Sequence, residues 1–215
     1  MKFLFDSNQQ HQIEAINSIV ELFNGQQKMK YNNDFQLDDS SEVICSNPNI
    51  LTISTEVLTN NLLDIHEKNQ IESSIDLNKL DKNDKKNFEF TVEMETGTGK
   101  TYIYLRSIYE LNKHYGFSKF VIIVPSLAIK EGVIQTYEQT KEHFKSLYKD
   151  INVEFNVLNT NKLSSVRNFC NSNSIQVMLI NIDLINKIGT GSSTTTNKMY
   201  TVQESFSSSA PIEFI

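Results

Sequence analysis

The sequence of 215 residues is short of several residue types: it has no tryptophan, three prolines, seven glycines and two cysteines. So little glycine and proline excludes collagen-like and other fibrous proteins. Cys45 and Cys170 form no Cys-x-x-Cys pair, so we expect neither a disulfide framework nor a zinc module, and a reducing cytoplasmic location is the default. No apolar run approaches the roughly 18 residues of a membrane-spanning helix, and residues 1–5 lead directly into a polar stretch, which predicts no secretory signal.

An excess of basic charge is also missing. The net charge is -6, and residues 1–90 account for it with 8 lysine or arginine and 15 aspartate or glutamate residues. Residues 91–215 carry 12 and 11 of these and are nearly neutral. Bulk electrostatics therefore do not indicate a nucleic-acid-binding protein, and any contact with nucleic acid has to be local.

The first ninety residues divide into a helix and an acidic insertion. Residues 11–23 place apolar side chains at helical spacing, which predicts an amphipathic helix that stops near Gly25. Residues 26–87 are rich in Asn, Asp, Ser and Lys, and their clearest helical patch is 55–65. The entirely polar run 81–87 predicts a solvated loop.

From residue 88 onward, predicted strands and helices alternate. Residues 88–94 alternate apolar and polar side chains, which predicts a strand, and residues 119–124 form an apolar run typical of a buried parallel strand. Further strands are predicted at 152–158 and 175–182, and helices at 100–113, 127–147 and 162–170. This order indicates an α/β fold with an open, mostly parallel sheet. The Ser- and Thr-rich stretch 189–209 is predicted to be flexible.

One motif carries recognisable chemistry: Met94-Glu95-Thr96-Gly97-Thr98-Gly99-Lys100-Thr101, between a predicted strand and a predicted helix. It matches the end of the phosphate-loop pattern GxxxxGK[ST], with Met94 in place of the first glycine. Gly97 and Gly99 allow consecutive N–H groups to face an anion at a helix start. Lys100 would reach the β- and γ-phosphates, and Thr101 would offer its hydroxyl to Mg²⁺. The pattern predicts a nucleoside triphosphate site, and a glycine-rich turn without a ligand is the alternative.

Other candidate residues carry less specific signals. The Gln12 amide can both donate to and accept from the edge of adenine, although a surface glutamine is the commoner explanation. Three histidines without metal-ligand spacing are predicted to lie at the surface: His11, His114 and His143. Three tyrosines after the loop are predicted to pack on the helix face and not to stack on bases: Tyr102, Tyr104 and Tyr109.

Longer strings around the phosphate loop resemble a known family. Residues 93–101, 109–117 and 119–133 resemble the restriction (Res) subunit of type III restriction–modification enzymes, which are superfamily 2 helicase-like ATPases with a RecA-like motor. Residues 12–16, Gln-Ile-Glu-Ala-Ile, resemble the Gln motif of that family more loosely. The resemblance implies a RecA-like P-loop sheet flanked by helices.

The resemblance also implies roles for individual residues. Gln12 would contact adenine, and a contiguous set would hold ATP and Mg²⁺: Thr96, Gly97, Thr98, Gly99, the catalytic Lys100 and the metal ligand Thr101. Pro125, Ser126 and Lys130 match the motif that grips the DNA backbone, although Pro125 and Ser126 equally suit a strand-to-helix turn with an N-cap. The implied partners are double-stranded DNA, a modification methyltransferase subunit and the remaining motor and nuclease domains of a parent enzyme, with no membrane.

Composition, periodicity and the resemblance together divide the chain into four segments. They are 1–25, a helix with the Gln motif; 26–87, a partly helical acidic insertion; 88–188, the RecA-like ATP-binding core; and 189–215, a flexible Ser/Thr-rich segment.

An acidic motif that the family needs for hydrolysis is missing. The sequence contains no Asp-Glu dipeptide, and Asp183, after the last predicted strand, stands alone. We therefore expect an incomplete first motor domain that ends before this motif, binds ATP and hydrolyses it negligibly. Two alternatives stay open: another superfamily 2 DNA helicase or translocase, and a non-catalytic nucleotide- or DNA-binding module.

Overall fold

An apolar run at Lys119–Val124 forms an interior strand, β1, of the sheet in this computed structural model. The structure describes residues 5–29, 48–72, 88–158, 166, 168–170, 172, 174–184 and 210–215. The other elements are helices α1 (Gln10–Glu21), α2 (Thr55–Lys68), α3 (Lys100–Tyr115) and α4 (Leu127–Leu147), and strands β2 (Val153–Val157), β3 (Ile175–Asn181) and β4 (Ile212–Phe214). Within these ranges, none of the helices has the length and hydropathy needed to cross a bilayer.

The sheet is parallel throughout, in the order β2-β3-β1-β4. Alternate side chains of β1 enter different cores: Phe120 and Ile122 join the larger one with α1, α3 and α4, whereas Val121 packs with Phe169 in a smaller one. Burial on both faces explains why this strand is apolar without alternation. The predicted α/β class with a parallel sheet and flanking helices is confirmed.

The residues at the end of α3 and at the start of α4 have clear structural roles. Gly116 ends α3 in the left-handed region at φ +76°, and a Cβ there would lie 2.6 Å from the Met29 carbonyl oxygen, so only glycine fits. Ser126 begins α4 as its N-cap, and its Oγ accepts a hydrogen bond from the Ile129 N–H at 3.3 Å.

Part of the predicted insertion packs against the core. Leu58 and Ile65 of α2 form a small apolar cluster with Leu22, just beyond α1. The buried Asn49 side chain accepts hydrogen bonds from the N–H groups of Ser118 and Lys119 at 2.9 and 3.2 Å, and donates to the Lys119 carbonyl at 2.7 Å. These bonds satisfy backbone groups where β1 begins.

Two predictions differ from the structure. Residues 88–94 are described but belong to no strand, and Phe88, Phe90 and Val92 stay 40–46% exposed. These residues alternate in sequence, but none of the described strands pairs with them, and a strand needs hydrogen bonds to a neighbouring strand. Residues 212–214, predicted to be flexible, form β4 beside β1. The predictions for 81–87 and 189–209, and most of 162–170, lie outside the described residues.

Candidate nucleotide-binding site

The phosphate-loop motif folds as a tight turn that leads into α3. Gly97 and Gly99 have φ values of +86° and +90°, a region that residues with a Cβ rarely adopt. Gly99 is the N-cap of α3, and the Thr98 hydroxyl donates to the Glu95 carbonyl at 2.7 Å across the turn. The first N–H groups of α3, including that of Lys100, therefore lie next to a glycine-rich turn, an arrangement that favours an anion.

Helix α1 lies directly against this turn. Gln12 is only 8% exposed, and its Nε2 donates to the Thr98 carbonyl at 3.0 Å. His11 Nε2 is 3.3 Å from the same oxygen. A Cβ on Gly99 would lie 2.6 Å from Gln12 Nε2, so a side chain at residue 99 would displace the end of Gln12.

A cleft of about 580 Å³ opens beside the turn and has the size of a small-molecule site. Its lining includes six of the predicted site residues: Gln12, Thr96, Gly97, Gly99, Lys100 and Thr101. The predicted Thr98 contributes its carbonyl to Gln12 and is not part of the lining. The residues predicted on the loop and on α1 thus lie together at one cleft, and their contact with a nucleotide stays a prediction.

The rest of the lining was not predicted. Before Gln12 it comprises Phe5, Asp6 and Gln9, and on α4 it comprises Thr136 and Gln139. Proximity in sequence to Gln12 could have suggested the first group. No sequence signal points to the α4 residues, because they reach the cleft only through the packing of α4 against α3.

Tyr102 belongs to the core and also to the cleft wall. It is 6% exposed, its ring stacks near that of Phe5 at 6.2 Å, and its hydroxyl is 2.9 Å from His143 Nε2. Burial, and secondarily the nearby Arg106, lower the pKa of His143. His143 is therefore half-buried and a partner of Tyr102, whereas the sequence predicted a surface residue. His11 and His114 are exposed, as predicted.

The residues predicted to contact DNA lie together at the start of α4, outside the cleft lining. Pro125 is exposed, Lys130 is half-buried, and Ser126 acts as the N-cap. The N-cap is the structural role that the sequence left open for Ser126, and the contact with DNA stays a prediction.

A glycine-rich loop that begins a helix beside a parallel sheet, with a lysine and a threonine directly after it, defines a P-loop nucleotide-binding α/β domain. The sequence pattern of the family described as "Type III restriction enzyme, res subunit" matches residues 7–208. The chain belongs to this family, and its fold is the helicase-like P-loop domain of a Res subunit.

Individual relatives agree with this assignment. The chain is 39% identical to the StyLTI Res subunit of Salmonella typhimurium over 120 residues, which is 48% of this chain and 12% of that protein. It is 35% identical to the EcoP15I Res subunit of Escherichia coli over 150 residues and 33% identical to the EcoPI Res subunit of Escherichia phage P1 over 149 residues. Each of these two matches covers 68% of this chain and 14% of the relative, so the chain spans a small part of these proteins.

Proposed function

We propose that the cleft beside residues 96–101 binds ATP with Mg²⁺, and that this chain is the ATP-binding part of a motor that drives DNA cleavage. The observation that carries the proposal is the juxtaposition of Lys100 and Thr101 with two left-handed glycines in a cleft that Gln12 also lines.

Each residue has a role that its chemistry supports. The N–H groups at the start of α3 would donate to phosphate oxygens, and the exposed Lys100 ammonium would pair with the β- and γ-phosphates. Gln12 uses one amide hydrogen on the Thr98 carbonyl, and its second hydrogen and its Oε1 match the N7 and amino group of adenine. Gln12 would therefore link the base to the loop that holds the phosphates.

The metal would be held by the Thr101 hydroxyl together with phosphate oxygens and water. Bound Mg²⁺ would neutralise charge on the phosphates. Within the described part of the chain, no group of three His, Cys, Asp or Glu side chains could hold a metal ion by itself. The sequence also has no Asp-Glu dipeptide. We therefore propose that the 215 residues bind ATP·Mg²⁺ but hydrolyse it negligibly.

For the parent enzyme, we propose ATP-dependent motion on double-stranded DNA and DNA cleavage together with a modification methyltransferase subunit, in the cytoplasm. The names of the relatives, all Res subunits of restriction–modification enzymes, support this proposal. Pro125, Ser126 and Lys130 would contact the DNA backbone, because an exposed helix start and a lysine suit a phosphate.

Titration calorimetry with ATP·Mg²⁺ on the 215-residue chain tests the site. Lys100→Ala should weaken ATP binding about 10- to 100-fold, since hydrogen bonds to charged groups contribute about 1.5–3 kcal/mol. Lys113→Ala is the matched control, because Lys113 is exposed at the far end of the same helix and should leave binding unchanged.

Equal ATP affinity in the wild type and Lys100→Ala would refute the site. For the parent enzyme, the matching measurement is cleavage of DNA by the complete Res protein with its modification subunit. Cleavage that proceeds without ATP, or that survives Lys100→Ala, would refute the motor role.

A further inference from the structure

We propose that Gln139 of α4 is a specificity-determining residue that contacts the base of the bound nucleotide from the wall that α4 contributes to the cleft. This inference rests on the proposed ATP site and adds a residue on a helix to which neither the phosphate loop nor the Gln motif points. It starts from the polar side chains that α4 directs toward the cleft.

One face of α4 meets the cleft and the residues beside it. Thr136, Gln139 and His143 are spaced three and four residues apart and so lie on one helix face. Thr136 donates its hydroxyl hydrogen to the Gly132 carbonyl at 2.8 Å, and His143 is 2.9 Å from the Tyr102 hydroxyl. Gln139 is exposed, lines the cleft and makes no side-chain hydrogen bond within the described part of the chain. Its amide is thus available to a ligand.

The charges in the lining indicate which end of a nucleotide meets Gln139. Lys100 is the one cation among the described lining residues and lies beside the glycine turn, where the phosphates are favoured. Asp6, with Phe5 and Gln9, lines the wall before Gln12, and a carboxylate there disfavours phosphate. The phosphates therefore lie at the turn, and the base lies toward Phe5 and the amides.

Gln12 and Gln139 reach the cleft from two different helices. Both α1 and α4 pack against α3, and the cleft lies over the first residues of α3. Gln12 reaches it from α1 and Gln139 from α4, so a planar base between them presents one edge to each helix. An amide offers a donor and an acceptor, which matches the alternating groups on an adenine edge.

Titration calorimetry on the 215-residue chain, with ATP·Mg²⁺, GTP·Mg²⁺ and inorganic tripolyphosphate·Mg²⁺ as probes, separates base contacts from phosphate contacts. Gln139→Ala should weaken ATP binding about two- to tenfold, the range of one or two neutral hydrogen bonds, and leave tripolyphosphate binding unchanged. Gln139→Glu should raise the affinity for GTP relative to ATP, because a carboxylate only accepts and guanine presents two adjacent donors on its Watson–Crick edge.

Gln135 provides the matched control. It has the same side chain, lies on the same helix, is exposed and is outside the cleft lining. Gln135→Ala and Gln135→Glu should leave all three affinities and the ratio of GTP to ATP binding as in the wild type. Gln135→Glu also controls for the negative charge that Gln139→Glu adds to the same helix.

The outcomes separate this inference from the proposed ATP site. If the wild type binds ATP and both Gln139 variants keep its affinities and base ratio, Gln139 does not contact the base, and the ATP site stands. Tripolyphosphate binding that weakens as much as ATP binding in Gln139→Ala also overturns the inference, because the effect is then not at the base. A wild type that binds none of the probes overturns both proposals.

Discussion

Replacing Gly99 by alanine tests whether the phosphate loop depends on contact with α1. Gly99 has φ +90°, and the new Cβ would lie 2.6 Å from Gln12 Nε2. Gly97 provides a natural comparison, because it has a similar φ of +86° and nothing within 4 Å of the position of a Cβ. The backbone strain is therefore shared by the two substitutions, and the steric contact is specific to residue 99.

The free energies follow from these two geometries. An alanine in the left-handed region costs about 1–2 kcal/mol, so Gly97→Ala should lower the free energy of unfolding by about that amount. At residue 99 the end of the flexible Gln12 side chain must also move, which breaks its 3.0 Å hydrogen bond to the Thr98 carbonyl. That bond contributes about 0.5–1.5 kcal/mol, which gives about 1.5–3.5 kcal/mol for Gly99→Ala.

Urea unfolding followed by far-ultraviolet circular dichroism measures both changes. With a slope of about 2 kcal/mol per molar urea, an extra 1 kcal/mol separates the two midpoints by about 0.5 M. Adding Gln12→Ala supplies a double-mutant cycle, since Gly99→Ala should then cost no more than Gly97→Ala. The reasoning fails if the two glycine substitutions destabilise equally, or if Gln12→Ala leaves the difference between them unchanged.

Two further predictions concern polar side chains outside the phosphate loop. Asn49→Ala should lower the free energy of unfolding by about 2–4 kcal/mol in the same urea assay, because three backbone groups at Ser118 and Lys119 lose their hydrogen-bond partner. The control Asn60→Ala, at an exposed position on α2, should change it by less than about 0.5 kcal/mol. Equal effects of the two substitutions would contradict this role for Asn49. Burial and then Arg106 lower the pKa of His143 from its ordinary 6.5, so below that pH the unfolded chain binds more protons and stability falls as the pH drops toward the folded pKa. His143→Gln should make the loss of stability between about pH 7.5 and about pH 5.5 shallower, and an unchanged loss would show that His143 does not contribute to it.

Elements with a strong apolar pattern could be predicted from the sequence. The helical spacing in α3 and α4 reflects burial of one helix face, and the continuous apolar run of β1 reflects burial of both faces of the strand. Residues 88–94 have the period of a strand, yet Phe88 and Phe90 remain 43% and 40% exposed. A strand also requires a neighbouring strand to pair with, and the sequence of one segment does not show which segment lies beside it.

The site shows the same division between local and distant requirements. Gly97, Gly99, Lys100 and Thr101 could be predicted because the turn, the lysine and the hydroxyl lie within one contiguous motif. The contact of Gln12 with adenine stays a prediction, and its hydrogen bond to Thr98 could not be predicted locally because it joins residues 86 positions apart. Gln139 reaches the same cleft only because α4 packs on α3, which no local pattern indicates.

A buried polar side chain forms a contact across the predicted boundary near residue 87. Buried amides need hydrogen-bond partners, and that of Asn49 finds them in backbone groups of Ser118 and Lys119, where β1 begins. The buried Gln26 amide instead bonds to Ile50 and Thr52, within the predicted insertion. The acidic, Asn-rich composition predicts a solvated insertion. Composition gives the number of polar side chains but not which of them are buried in the fold. Asn49 nevertheless satisfies backbone groups at the start of β1, so this part of the predicted insertion belongs to the folded core.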